Sequence, residues 1–400
     1  MADSHVINAV RHLTKAALTR HQPVYVIYEI TGRCNLKCRM CSVWRRADRG
    51  NELNLSQIDV LGDRLRDMGV VVVSLSGGEP FLREDLPEIV RIFRKKGLIT
   101  RLMTNAVEAD ERMIRAVVDA GIHSVSISLN TLFPEEEAYI CRSDIGLWER
   151  VVSNMTLFSR ILNKPGSLLV MSACVSSLNV DQLPLLEEFA SFIGFRVNFM
   201  PTELAPRRKP NLRFADYAPE LDLAFSSKIQ FIKSMNVLMD RKRRGTILNS
   251  TRFLREMREF VLRHGYHSGI CDAGNLYFTV DPAGGYSICH EFEPRDSLLS
   301  PGFISRFESP RFQEYWAKLR RGCSGCMHPC WMEVTHLFRG LYPMFEGVHH
   351  SIGNQLRRES IESHQAIAFA ERLRERLGRG PRVPESYTAP SNSNTMEKLS

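Results

Sequence analysis

Three cysteines within eight residues, Cys34-Asn35-Leu36-Lys37-Cys38-Arg39-Met40-Cys41, are the stretch of this sequence best equipped for chemistry. They follow a strand-like run, Val24 to Thr31, and the turn residue Gly32. No helix or strand points three thiols at this spacing in one direction, whereas a loop can wrap them around one inorganic centre. A [4Fe–4S] cluster takes one thiolate per iron, so three cysteines leave one iron without a protein ligand. An open coordination position marks a catalytic metal site rather than a structural one. The competing readings are three unrelated buried cysteines and a zinc knuckle, although zinc sites usually pair C-x2-4-C with a second pair.

A second set follows late in the chain: Cys271, Cys289, Cys323, Cys326 and Cys330 fall within sixty residues. Cys271 and Cys289 bracket a hairpin, Asn275–Val280 and Tyr286–Cys289 joined by Asp281-Pro282-Ala283-Gly284-Gly285. Cys323-x2-Cys326 lies on a loop after a helix expected over Pro310 to Leu319. Four thiolates complete one cubane with no open iron, and a zinc ribbon shows the same spacing. Cys330 either replaces Cys326 as a ligand or remains a free thiol. His290 and His328, beside and between these cysteines, tune a cluster through hydrogen bonds or sit at the surface. Cys141 and Cys174 have no neighbours in sequence and read as core packing. The remaining motif is Ser76-Gly77-Gly78-Glu79-Pro80, where two glycines let backbone approach a ligand and Glu79 offers an acceptor for an ammonium.

The elements that must position these groups alternate. Strands are expected at Val24–Thr31, Val70–Leu75, Ile99–Met103, Ser124–Leu129, Leu168–Val175 and Arg196–Met200. Helices fall between them, one opened by a Ser56-x-x-Asp59 capping pattern and others over Leu86–Lys96, Asp110–Ala120, Ile145–Leu162 and Asp181–Ile193. Six alternating units predict an α/β fold with a parallel sheet and right-handed crossovers. Periodicity alone does not separate a partial barrel from a doubly wound sheet. In either, sites form at the carboxyl ends of strands. The Cys34 loop, the Gly77-Gly78 turn, Thr104-Asn105 and Ser128 all fall at that end, which predicts one shared pocket.

The C-x3-C-x2-C loop, with Gly-Gly-Glu-Pro at the end of the next strand, resembles the signature of the radical S-adenosylmethionine (radical SAM) enzymes. The resemblance implies a partial (β/α)6 barrel over residues 23–205 and a cluster on Cys34, Cys38 and Cys41 whose open iron is chelated by the methionine moiety of S-adenosylmethionine (SAM). It implies that Ser76, Gly77, Gly78, Glu79 and Pro80 form the motif holding the methionine amino group. Thr104, Asn105 and Ser128 then contact ribose and carboxylate, with Arg142 a further candidate; as polar caps of strand ends they would need no ligand. Met40 stands near the adenine, where the family often has an aromatic. Residues 269–335 resemble the twitch auxiliary-cluster domain, the shortened form of SPASM, an α+β unit whose five cysteines here suit one auxiliary [4Fe–4S] cluster. The implied function is reductive cleavage of SAM to a 5′-deoxyadenosyl radical that removes a substrate hydrogen, giving oxidation or epimerisation of a small, anionic intermediate. The alternative substrate is a ribosomal peptide or protein, and an electron donor such as flavodoxin or ferredoxin is implied for both. A zinc-stabilised binding protein without catalysis is the rival of another class.

Four hundred residues with 44% hydrophobic composition suffice for two domains or three. No transmembrane run or signal peptide is readable, which with most of the ten cysteines grouped at metal-ligand spacings predicts a cytoplasmic protein. Residues 1–22 read as an amphipathic helix with Val6, Val10, Leu13 and Ala17 on its packed face. Residues 206–268 read as a basic helical bridge: from Pro201 to Ile270 there are 14 Lys/Arg against 7 Asp/Glu, including Arg207-Arg208-Lys209 and Arg241-Lys242-Arg243-Arg244. No aromatics interleave with these runs, so nucleic-acid binding is not expected. Residues 336–378 are expected to be helical, through an amphipathic run from Gln355 to Leu377, and 379–400 to be a disordered tail.

Overall fold

The computed structural model describes residues 2–46, 51–203, 217–223, 225–263, 270–323, 325–340 and 360–390. Strands β1 (Tyr25–Thr31), β2 (Val72–Gly77), β3 (Ile99–Thr104), β4 (Ser124–Ser128), β5 (Leu168–Val175) and β6 (Arg196–Pro201) lie side by side in chain order, each parallel to the next. A doubly wound sheet reverses its strand order at a switch point. Here the order runs β6-β5-β4-β3-β2-β1 without reversal, so the crossovers share one face and the sheet is an unclosed barrel. Strand order thus settles what periodicity left open.

Each strand divides its residues between two faces. Leu102, Val125, Ile127, Leu169 and Met171 are fully buried, while Arg101, Ser124, Ser126, Ser172 and Cys174 line an interior cavity. The outer face is covered by α2 (Leu55–Asp67), α3 (Leu86–Lys95), α4 (Glu111–Asp119), α6 (Leu147–Ile161) and α7 (Leu183–Phe192). The capping box of α2 sits two residues before the expected one. Asn54 accepts from the Gln57 N–H at 3.0 Å, and Gln57 accepts from the Asn54 N–H at 3.0 Å. A short helix that the sequence reading lacks, α5 (Pro134–Cys141), fills the β4-to-α6 connection.

Beyond β6, helices α8 (Phe225–Arg241) and α9 (Thr251–Leu262) flank a segment that docks on the free edge of that strand. Val197 N–H donates to Thr246 O and Leu248 N–H to Val197 O, which covers an otherwise open edge. The late hairpin is built onto the barrel sheet: β7 (Tyr277–Val280) pairs parallel with β1, and β8 (Gly285–Ser287) and β9 (Asp296–Ser297) continue it antiparallel. Tyr286 centres an aromatic cluster with Phe278, Phe303, Phe307, Phe312 and Trp316, whose rings lie 5.1–5.8 Å from its own. This packs α10 (Phe303–Phe307) and α11 (Pro310–Arg321) against the hairpin. Helix α12 (Pro329–Arg339) then lines the barrel's interior cavity with Cys330, Glu333, Val334 and Leu337.

Helix α1 (Ala2–Thr19) buries Ala16 and leaves Val10, Leu13 and Ala17 exposed, so the expected packed face points outward. Helix α13 (Ser363–Leu377) lies on α6 and α7, with Phe369 stacked on Phe192 at 4.1 Å. Residues 379–390, placed in a disordered tail from their composition, are fastened by charge. Arg379 pairs with the fully buried Glu136 at 2.7 Å and with Asp181 at 2.8 Å, and Tyr387 packs edge-on against Tyr139. Arg207-Arg208-Lys209 and the stretch 355–359 lie outside the described residues. Arg241 pairs with Glu187 and Glu188, and Lys242 donates to Ile247 O, so half of the second basic run holds the fold.

Candidate active site

The cysteine loop is fixed from three sides. Gly78 N–H donates to Thr31 O at 2.9 Å and Glu79 N–H to Arg33 O at 2.8 Å, which zips the Gly77-Gly78 turn to the start of the loop. A side chain at Gly78 would place its Cβ 1.9 Å from Arg33 O, and Gly77 holds φ +135°, so both positions require glycine. Arg39 donates to Ile140 O through its backbone and to Tyr139 O through its side chain, tying the loop to α5. Asn105 Nδ2 donates to Asn35 Oδ1 at 2.8 Å and ties it to the end of β3. Burial pushes the Cys34 thiol far up and the Cys41 thiol up to about 12, each further raised by Cys38. Thiols this desolvated ionise only against a cation, so the donor set fits a metal–sulfur centre.

The loop opens onto a cavity of about 780 Å³ that runs down the inside of the barrel. Of the residues singled out from sequence, Cys34, Cys38, Cys41, Met40, Ser76, Gly77, Gly78, Thr104, Asn105 and Ser128 all line it. Glu79 and Pro80 do not. The Glu79 carboxylate is wholly buried behind the wall, accepting from Thr104 Oγ1 (2.6 Å), the Asn105 N–H (2.8 Å) and the Phe81 N–H (3.0 Å). Burial raises it to about 7 despite those bonds. Glu79 therefore braces the glycine turn against the end of β3, and the cavity meets the backbone of Gly77 and Gly78 instead. Arg142 is also absent from the lining; exposed, it caps α5 in a left-handed conformation near the Trp44 ring.

Two cysteines assigned to the core from sequence belong here. Cys141 hydrogen-bonds Cys38, which with burial holds its thiol well above the usual range, and it also lies 3.5 Å from Glu137 Oε1. Cys174 is pushed up to about 12 by burial and by Cys38. Glu137, on the unforeseen helix α5, lines the same wall and is raised by burial to about 7. No local pattern finds these residues, because the two cysteines meet Cys38, and Glu137 meets Cys141 and the wall, only through the fold. Strand alternation would have found Arg101, Arg196 and Asn198, which face inward with the serines.

The second cysteine set divides. The buried thiols of Cys271 and Cys289 are raised chiefly by desolvation, with Cys323 adding to the first, and Cys326 and Cys271 to the second. Cys330 faces another way, into the barrel, where burial raises it while Arg101 and Tyr25 pull it down. Only Cys326 and Cys330 of this set line the cavity. Between them and Cys289, the sequence-chosen His290 and His328 converge with Glu291. All three are buried with ligand atoms within 4.8 Å, and His328 Nε2 is 3.3 Å from Glu291 Oε1. These two histidines are thus interior, not at the surface.

Comparison with known proteins agrees with the geometry. The sequence profile of the radical SAM superfamily matches residues 28–175. The chain is 28% identical over 177 residues to a PqqA peptide cyclase of Granulibacter bethesdensis, covering 44% of this chain and 46% of that protein. It is 30% identical over 184 residues to a GTP 3′,8-cyclase of Chlorobaculum tepidum, covering 46% and 54%. It thus spans about half the length of the curated relatives it matches. Among solved structures, Streptococcus suis SuiB bound to precursor peptide SuiA superposes with TM-score 0.56 at 14% identity, over 88% of this chain and 79% of that one. The unclosed parallel barrel with a cysteine loop at its carboxyl rim is the fold shared with that structure. Residues 28–175 thus carry the sequence pattern of the radical SAM superfamily.

Proposed function

We propose that the chain binds a [4Fe–4S] cluster on Cys34, Cys38 and Cys41 with SAM beside it, and starts hydrogen abstraction from a substrate held in the barrel cavity. The carrying observation is the backbone zipper that fixes the cysteine loop to Gly77-Gly78 on the rim of that cavity. When bound, the cluster supplies the electron that divides SAM into methionine and a 5′-deoxyadenosyl radical. The backbone at Ser76, Gly77 and Gly78 offers acceptors to the methionine ammonium, with Glu79 holding that turn in place. Thr104, Asn105 and Ser128 supply polar contacts to ribose and carboxylate, and Met40 packs by the adenine. The barrel wall and α12 keep water from the reacting carbon. Cys271, Cys289, Cys323 and Cys326 hold one auxiliary cluster, and flavodoxin or ferredoxin delivers the electron.

The first reading of the substrate is a peptide side chain. It follows the PqqA peptide cyclase relatives and the peptide-bound SuiB fold. A small anionic intermediate is the second reading, favoured by two arginines, Arg101 and Arg196, on the cavity wall and by the GTP 3′,8-cyclase relative. Anaerobically reconstituted protein, reduced in the presence of SAM, is expected to release 5′-deoxyadenosine, read by liquid chromatography and mass spectrometry. Iron-loaded protein that releases none overturns the function. A mass change in a short peptide encoded beside the gene decides between the substrates.

A further inference from the structure

Strand β3 carries Arg101 onto the cavity wall, three residues below Thr104, roughly 10 Å from the rim at the rise of a strand. Among the described residues no carboxylate and no hydrogen-bond acceptor partners it. Its neighbours across the cavity are the Tyr25 hydroxyl and the Cys330 thiol, both pushed up by burial and so uncharged at neutral pH. A half-buried guanidinium without a counter-anion is costly to keep. Directly opposite it in the β3–β4 register stands Ser124. Ser124 is 5% exposed and lines the same cavity, and its Oγ has no hydrogen-bond partner among the described residues. A buried hydroxyl left unpaired costs about 1–3 kcal/mol. The two defects are adjacent, and one oxyanion relieves both: the guanidinium fork takes its charge and Ser124 donates to it.

We propose that Arg101 and Ser124 form an anion subsite that receives a carboxylate or phosphate group of the substrate, at the end remote from the reacting carbon. That the anchored molecule is the substrate rests on the function proposed above; the anion site itself does not. Arg196 and His123 line the same cavity and keep an anion's surroundings positive or neutral. Of the four acids on the wall, Glu333 is raised by burial and engaged by the Ser250 N–H, Glu137 is raised by burial and engaged by the Asn130 N–H, Glu29 is paired with Arg46, and Glu203 stands past the carboxyl end of β6. The subsite lies several bonds' length below the rim, so the anionic group anchors the substrate without taking part in the chemistry. A neutral analogue would leave Arg101 and Ser124 unpaired and be rejected.

The test uses the full chain, iron-loaded and saturated with SAM, titrated calorimetrically with inorganic phosphate and, separately, with succinate at fixed ionic strength. One site per chain is expected. Arg101→Gln should weaken it at least tenfold, Arg101→Lys less because a charge remains without the fork, and Ser124→Ala about threefold. Tighter phosphate binding identifies a phosphoryl group, and tighter succinate binding a carboxylate. Circular dichroism checks folding, and Arg101→Lys with Ser124→Ala carries the test if Arg101→Gln does not fold. Equal affinity in the unsubstituted protein and the variants overturns the subsite, as does failure of the unsubstituted protein to bind either anion. SAM cleavage by the unsubstituted protein is scored in the same preparation. Its absence alongside Arg101-dependent binding removes the proposed function and leaves the subsite. Cleavage without that dependence removes the subsite alone.

Discussion

A carboxylate next to two glycines at a strand end invites assignment to a ligand's ammonium, and Glu79 has that neighbourhood. Its oxygens are already taken by Thr104, Asn105 and Phe81. Glu79→Gln keeps the shape but not the acceptor for three donors, so SAM is expected to bind several-fold more weakly with iron content unchanged. Unchanged SAM affinity would show that the brace is dispensable. The same burial has a consequence for pH. The folded-state carboxyl titrates at about 7 against 4.5 unfolded, so folding favours the protonated form. That stabilisation is complete below about pH 4.5 and lost as pH rises through 7; at 1.36 kcal/mol per unit it amounts to about 3 kcal/mol. Glu137 shifts the same way to about 7. In iron-free protein, urea midpoints should therefore fall from pH 5 to 8, and Glu79→Gln should remove roughly half of the fall. A parallel slope in the variant would contradict the burial argument. The cysteine loop at the cavity was legible because type and spacing are local; Cys141 and Cys174 were not, because Cys38 reaches them only through folding.

Strands and most helices of the barrel were legible from their periods, within two residues at most ends. Helices α5 and α12 were not. Helix α5 opens on Pro134 and three glutamates, two of them buried, so it shows no apolar stripe. The cysteines around α12 read as a metal loop rather than as a helix. Yet α12 lines the cavity, and polar clasps hold it there. Ser250 N–H meets Glu333 Oε1 at 2.8 Å, Arg339 meets Asp272 at 2.6 Å, and the fully buried His336 meets Glu256 on α9 at 2.8 Å. Burial alone would raise Glu256, but hydrogen bonds from His336 and Arg252 outweigh it and bring it to about 2. A depressed carboxylate stabilises the fold above its unfolded value near 4.5, and that contribution is lost as pH falls toward 2. Glu256 is partly open to solvent, so screening leaves about 1 kcal/mol. The melting temperature should drop between pH 5 and 3, and Glu256→Gln, already lacking the clasp, should show a smaller drop. An identical drop in both would assign the acid sensitivity elsewhere.

On the scale of the whole molecule, the sequence suggests a barrel and a separate cysteine-bearing unit joined by a basic bridge. In the structure both are parts of one sheet, with β7 pairing on β1, and Cys326 and Cys330 of the second set line the same cavity as Cys34, Cys38 and Cys41. Sequence could not show this, because β1 and β7 are separated by nearly the whole barrel. The proximity makes the two proposed clusters separable by mutation but linked in turnover. Reconstituted protein should carry roughly eight iron, about four per cubane. Changing Cys34, Cys38 and Cys41 together to Ala should remove about half and abolish SAM cleavage. Cys271→Ala with Cys289→Ala should also lose about half, yet keep SAM cleavage while product formation collapses. The fate of Cys330 follows from where it points. Its thiol answers to Tyr25 and Arg101 rather than to the other four cysteines, so Cys330→Ala should retain all the iron and Cys326→Ala should lose half. Iron counted by inductively coupled plasma mass spectrometry decides it: half lost in Cys330→Ala and none in Cys326→Ala would make Cys330 the ligand. Since α12 carries Cys330 and begins three residues after Cys326, that result would require the helix to start elsewhere or turn about its axis. Circular dichroism of the two variants would separate loss of a ligand from loss of that wall.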